Sequence, residues 1–75
     1  MNDQLKQAIA DALNVSPAEL TSDKSLQDFE DWDSVMVLTI MVILGKDLGK
    51  EILPEDVTDL RTFGDIEALV ASKLL

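Results

Sequence analysis

The chain has no cysteine, no histidine and no tyrosine among its 75 residues. Without cysteine there is no disulfide framework, no thiolate nucleophile and no thiolate metal site. Without histidine the commonest general base and metal ligand is missing. Basic residues are few as well, 6 Lys and Arg against 15 Asp and Glu, and they are scattered. The resulting formal charge of −9 disfavours nucleic acid and anionic membranes, which are held by clustered cations. The longest apolar run, Val35 to Leu44, is too short to span a bilayer. Nothing reads as a signal peptide, so a cytoplasmic protein without membrane insertion is expected. Unaided hydrolysis or group transfer is not expected from such a set of side chains. The chain reads as a non-enzyme that works with a borrowed group or through a partner, and its acidity favours basic protein partners.

What is present suits one small domain spanning residues 1–75, with 47% hydrophobic residues and a core that is marginal at this size. Leu5, Ala8, Ile9, Ala12 and Leu13 recur at helical spacing and predict a helix over 3–14, capped by Asn2 or Asp3 and closed by Asn14. Ser16-Pro17-Ala18-Glu19 has the form of a capping box with proline at the first helical position, which predicts a short turn of helix. From Thr21 to Asp33 no helical stripe is visible, and Leu26 and Phe29 are its expected anchors. An unstructured connection of this length points to function. The charge is concentrated nearby. Residues 15–33 hold six acids (Glu19, Asp23, Asp28, Glu30, Asp31, Asp33) against Lys24, which is −5 of the −9.

A second helix is predicted from Ser34 to Leu48, with acids before its positive end and Gly45 and Gly49 marking its finish. Its β-branched residues would suit a strand, but no pairing partner is evident and a lone strand leaves its backbone unsatisfied. A short helix is predicted near Pro54. A last one runs from a Thr62 cap to Leu74, with Phe63, Ile66, Leu69, Val70 and Leu74 facing inward. The predicted fold is all-α, a small four-helix bundle of three main helices and a short third, with a long loop between helices one and two.

The stretch Trp32-Asp33-Ser34-Val35 stands where the acidic loop meets the apolar helix. Asp33 and Ser34 are both favoured N-cap residues, so capping alone explains either of them. A calcium loop is not supported, because counting from Asp28 the sixth and twelfth positions hold Asp33 and Thr39, not Gly and Glu. No metal site is expected.

The layout as a whole resembles an acyl carrier protein. The family places Asp-Ser at the start of its second helix, and Trp-Asp-Ser is a variant of that motif. VSPAEL at 15–20, GKEILPEDV at 49–57 and LRTFGDIEALV at 60–70 are similar to its other junctions, in order and at matching distances. The resemblance implies that Ser34 is the attachment point of a 4'-phosphopantetheine arm taken from coenzyme A. A phosphopantetheinyl transferase would recognise Asp33, and the arm would carry acyl groups as thioesters. It implies acyl-loading and acyl-processing enzymes of fatty-acid, lipid or polyketide-type synthesis as partners, a monomeric state, and an acyl chain sheltered between helices two, three and four. Leu38, Met41, Ile52, Val57 and Leu60 are the candidates for that lining, and each is equally explained as core. A peptidyl or aminoacyl carrier, and an unmodified helical interaction module with Ser34 as a cap, are the alternative readings.

Two departures from the family pattern stand out. The usual glycine before Asp-Ser is replaced by Asp31-Trp32, where Trp32 is expected to anchor the loop. Helix two, normally an acidic docking surface, carries Met36 and Thr39 where acids are common, and nine of its ten residues from Val35 to Leu44 are apolar. A helix on a core needs only three or four apolar residues per two turns. With Leu38, Met41, Leu44 and Leu48 turned inward, Val35, Met36, Val42 and Ile43 would point outward. Val35, Met36, Thr39 and Val42 are the candidate docking residues.

Overall fold

The computed structural model describes residues 1–74. Its helices are α1 (Asp3–Leu13), α2 (Ser34–Leu48), α3 (Pro54–Val57) and α4 (Phe63–Leu74), with 3₁₀ turns at Pro17–Glu19 and Leu26–Asp28. The all-α bundle read from the sequence is the fold found. Local signals set most boundaries. The Asn2 side chain accepts from the Leu5 N–H at 2.7 Å and starts α1, and Asn14 closes it at φ 58°, a left-handed conformation that asparagine tolerates. The Ser16 hydroxyl accepts from the Ala18 N–H while the Glu19 carboxylate accepts from the Ser16 N–H. Thr62 and Asp65 cap α4 in the same reciprocal way.

α1 and α2 pack side by side, as do α2 and α4. α1 and α2 run antiparallel, since Asn2 at the start of one donates to Asp47 near the end of the other. Leu5, Ile9, Ala10 and Leu13 of α1 meet Ile40 and Leu44 of α2 and Phe63, Ile66 and Val70 of α4 in one core. Ala8 and Ala12 are only half-buried.

The segment before α2 is less irregular than its composition suggests. Beyond its 3₁₀ turn, it is fastened to the start of α4. The Leu26 N–H donates to the Arg61 carbonyl, the Phe63 N–H to the Lys24 carbonyl and the Gly64 N–H to the Ser22 carbonyl, each at 2.9 Å. The first turn of any helix has N–H groups without an intrahelical acceptor, and here the loop supplies acceptors for two of them. The approach is close: a Cβ on Gly64 would lie 2.8 Å from the Ser22 carbonyl oxygen, so a side chain there forces the loop away. Leu26 and Phe29 are buried as expected, and the Lys24 ammonium sits over the Phe29 ring, 5.3 Å from its centre.

Several sequence expectations are corrected. Leu38 does not face the core; Ile40 does, with Leu44 one turn on, while Met41, Ile43 and Leu48 flank them half-buried. α2 is apolar on nearly every side, so its inner face is chosen by fit against α1 and α4 and not by its own pattern. Met36 points inward and packs on the core, because it stands one turn before Ile40. Gly45 lies inside α2; Gly49, at φ 66°, ends the helix, and the Gly49 and Lys50 N–H groups both return to the Gly45 carbonyl. Leu74 is 65% exposed, since α4 extends a turn beyond the last buried layer at Val70.

Two carboxylates are tuned by the helix ends they hold. The Asp56 carboxylate accepts from the Leu53 N–H and pairs with Lys73 at 3.0 Å, and together these lower its pKa. Asp65 is lowered by the Arg61 and Thr62 N–H groups. A carboxylate with a lowered folded pKa contributes fully above the ordinary carboxylate range, and its contribution fades as pH falls through the lowered value. Thermal stability is therefore expected to hold from neutral pH down to about pH 4 and to fall below it. Asp56→Asn and Asp65→Asn should each flatten that acid limb in a melting-temperature profile against pH.

Candidate functional site

The carboxylate of Asp33 caps α2. It sits in an extended conformation (φ −144°, ψ −174°) and accepts from the Met36 N–H at 2.8 Å, while its carbonyl accepts from the Val37 N–H at 3.0 Å. With the cap supplied by Asp33, the hydroxyl of Ser34 is left without a protein partner among the described residues and lies exposed at the first helical position. The Ser34 and Val35 N–H groups are likewise without a partner among the described residues. A helix start with free N–H groups and positive dipole character accommodates a phosphate. The chemistry available is that of a presented alcohol, which needs its base from elsewhere.

The loop holds this end in place. Trp32 packs half-buried against the core and its backbone N–H donates to the Phe29 carbonyl at 3.2 Å. The packed indole immediately before Asp33 fixes the approach to it.

The other candidates are distributed as follows. Val35 and Val42, expected to face outward, are 68% and 61% exposed, and Leu38 joins them at 60%. Positions 35, 38 and 42 share one side of a helix. Thr39 is half-buried, with its hydroxyl donating to the Val35 carbonyl. Of the residues expected to line an acyl site, Ile52 is buried, and Met41, Val57 and Leu60 pack half-buried on the core; Leu38 is not with them. Thr39 and Lys46 lie on the same side of this helix as Val35 and Val42, while its other polar residues, Ser34 and Asp47, lie on other sides. An open groove of about 360 Å³ between α1 and α2, lined by Leu5, Ala8, Ile43 and Lys46 among others, lies toward the opposite end of α2.

The family profile described as "Phosphopantetheine attachment site" matches residues 3–70. The chain is 33% identical over 72 residues to the polyketide-8 synthase acyl carrier protein 2 of Streptomyces avermitilis, spanning 96% of this chain and 83% of that one. The chain belongs to the acyl carrier protein family. Further relatives include the acyl carrier protein of Rhodococcus erythropolis, 36% identical over 89% of this chain and 74% of its own length. Another is the meromycolate extension acyl carrier protein of Mycolicibacterium aurum, 35% identical over 88% of this chain and 68% of its own length. As a member, this carrier bears a covalently bound 4'-phosphopantetheine group, has an acyl carrier role and is not a catalyst. Its family works through a phosphopantetheinyl transferase and through synthase enzymes. Among the described residues no helix is long and apolar enough to cross a membrane.

Proposed function

We propose that the Ser34 hydroxyl is the attachment point, and that residues 1–75 act as one cytoplasmic, monomeric carrier domain holding acyl groups as thioesters on the arm. The observation that carries this is the division of labour at the start of α2: Asp33 makes the cap, and Ser34 beside it is exposed with its hydroxyl free. Transfer forms a bond from Ser34 Oγ to the phosphorus next to pantetheine as the pyrophosphate bond of coenzyme A breaks; adenosine 3',5'-bisphosphate leaves, and the serine proton passes to a base of the transferase. The bound arm supplies the thiol that the chain itself lacks. The exposed carboxylate of Asp33 is positioned to be read by the basic side of the modifying enzyme. Because the cap does not depend on Ser34, modification leaves the helix start intact. The added negative charge opposes the nearby acids, and the free N–H groups of the first turn offset part of that.

The cargo we infer is an acyl chain of fatty-acid, lipid or polyketide-type synthesis. The similarity to carriers named for polyketide synthesis and meromycolate extension supports it.

Intact mass after incubation with coenzyme A, magnesium and a broad-specificity phosphopantetheinyl transferase tests the attachment. The wild-type protein should gain one phosphopantetheine and Ser34→Ala none. An unmodified wild type that is shown to be folded would overturn the assignment. Aminoacylation of the modified protein by an adenylating enzyme, in preference to acylation, would replace the cargo.

A further inference from the structure

We propose that Trp32 is a positioning residue for phosphopantetheine transfer, holding Asp33, and through it Ser34 Oγ, in the place from which transfer occurs. This rests on Ser34 being the attachment site. Three observations lead to it. From Glu30 to Val35 every residue is exposed except Trp32, which packs half-buried against the core. The segment that presents the hydroxyl therefore has one side-chain anchor, and it stands two residues before Ser34. Second, the anchor closes a turn. The Trp32 N–H donates to the carbonyl of buried Phe29 at 3.2 Å, so Glu30 and Asp31 are carried outward at the tip while both ends stay on the core. Third, the cap of α2 follows at once. Asp33 accepts from the Met36 N–H at 2.8 Å through its carboxylate and from the Val37 N–H at 3.0 Å through its carbonyl. The place of Ser34 is thus set by its neighbours.

Charge makes the anchor necessary. Glu30, Asp31 and Asp33 are exposed close together, and the recess beside them adds Glu19 and Asp28 with a single cation, Lys24. The ion pair found among the described residues lies elsewhere, between Asp56 and Lys73. Repulsion among these acids favours a spread segment, and burial of the indole favours the compact one. Docking of a transferase uses surface that survives loss of the indole, whereas attack on phosphorus requires Oγ to be aligned. A loss of alignment lowers kcat and kcat/KM together.

The experiment is steady-state modification of the full chain by the broad-specificity transferase with coenzyme A, at a temperature where melting curves show every variant folded. It compares wild type, Trp32→Ala, Trp32→Leu, Trp32→Phe and Leu69→Ala, the last removing a half-buried side chain that packs on the core from α4. We expect kcat to fall about tenfold or more for Trp32→Ala, with KM within about threefold of wild type. Trp32→Phe should restore kcat to within about threefold of wild type, with Trp32→Leu between the two and Leu69→Ala unchanged in both constants. Amide exchange of the Met36 N–H reads the Asp33 cap with no enzyme present, and it should be about tenfold or more faster in Trp32→Ala and unaltered in Leu69→Ala. A raised KM at unchanged kcat would mean that the transferase touches the indole itself, and would overturn the positioning role. Equal losses of kcat in Trp32→Ala and Leu69→Ala, or Met36 exchange as slow as in wild type, would also overturn it. In each of these cases wild type is still modified at Ser34, and the attachment site stands. A folded wild type that is not modified would overturn both. If Trp32→Ala does not fold, Trp32→Leu carries the same comparison.

Discussion

Phe63→Ala is expected to leave the protein close to unfolded at physiological temperature. Phe63 is among the largest fully buried side chains, and its backbone N–H is the one that ties the loop to α4 through the Lys24 carbonyl. Replacing a buried phenylalanine by alanine costs about 3–5 kcal/mol in lost transfer free energy and residual cavity. Domain stabilities start from about 5 kcal/mol, and a chain this short belongs near that lower end. With a urea dependence of about 1 kcal/mol per molar, the midpoint should fall by roughly 3 M or the native baseline disappear. Phe63→Leu, which keeps most of the volume, should cost about 1 kcal/mol. Equal midpoints for Phe63→Ala and wild type would mean that this side chain does not fill the core.

Ile40→Ala and Leu38→Ala should differ sharply although they stand two residues apart on one helix. Ile40 is fully buried and Leu38 is 60% exposed. The first change should cost about 2–5 kcal/mol. The second should stay within about 0.5 kcal/mol, as surface changes do. Chemical denaturation of the two variants side by side reads the rotation of α2 directly. If Leu38→Ala proved the more damaging, the inner face of the helix would be the one first expected from its sequence.

That pair also shows where the sequence was legible. Punctuation was strong wherever a polar side chain or a left-handed residue closed a helix: Asn2, Asn14, Ser16, Thr62 and Gly49 stand where their chemistry places them. The stripe of α1 was readable because polar residues fill its other sides. α2 offered no such contrast. Its apolar residues run all the way round, so Leu38 and Ile40 are equivalent by hydropathy, and only packing against α1 and α4 distinguishes them. The fastening of the loop was not legible for a related reason. Its ties to α4 are made by backbone groups of Ser22, Lys24 and Leu26, which leave no mark in side-chain pattern. At the candidate site, Asp33 and Ser34 are both good caps on composition, and only the geometry assigns that task to Asp33.

The strap between the loop and α4 has a consequence for how the chain comes to be. A polypeptide made from its first residue onward can assemble the α1 hairpin with α2 early, but the acceptors at Ser22 and Lys24 wait for Phe63 and Gly64, some forty positions later in the order of synthesis. Until those residues are made, the carbonyls of Ser22 and Lys24 lack the donors that fasten the loop. The strap therefore joins two segments that become available at different times, and it closes only once residues 63 and 64 can reach the loop.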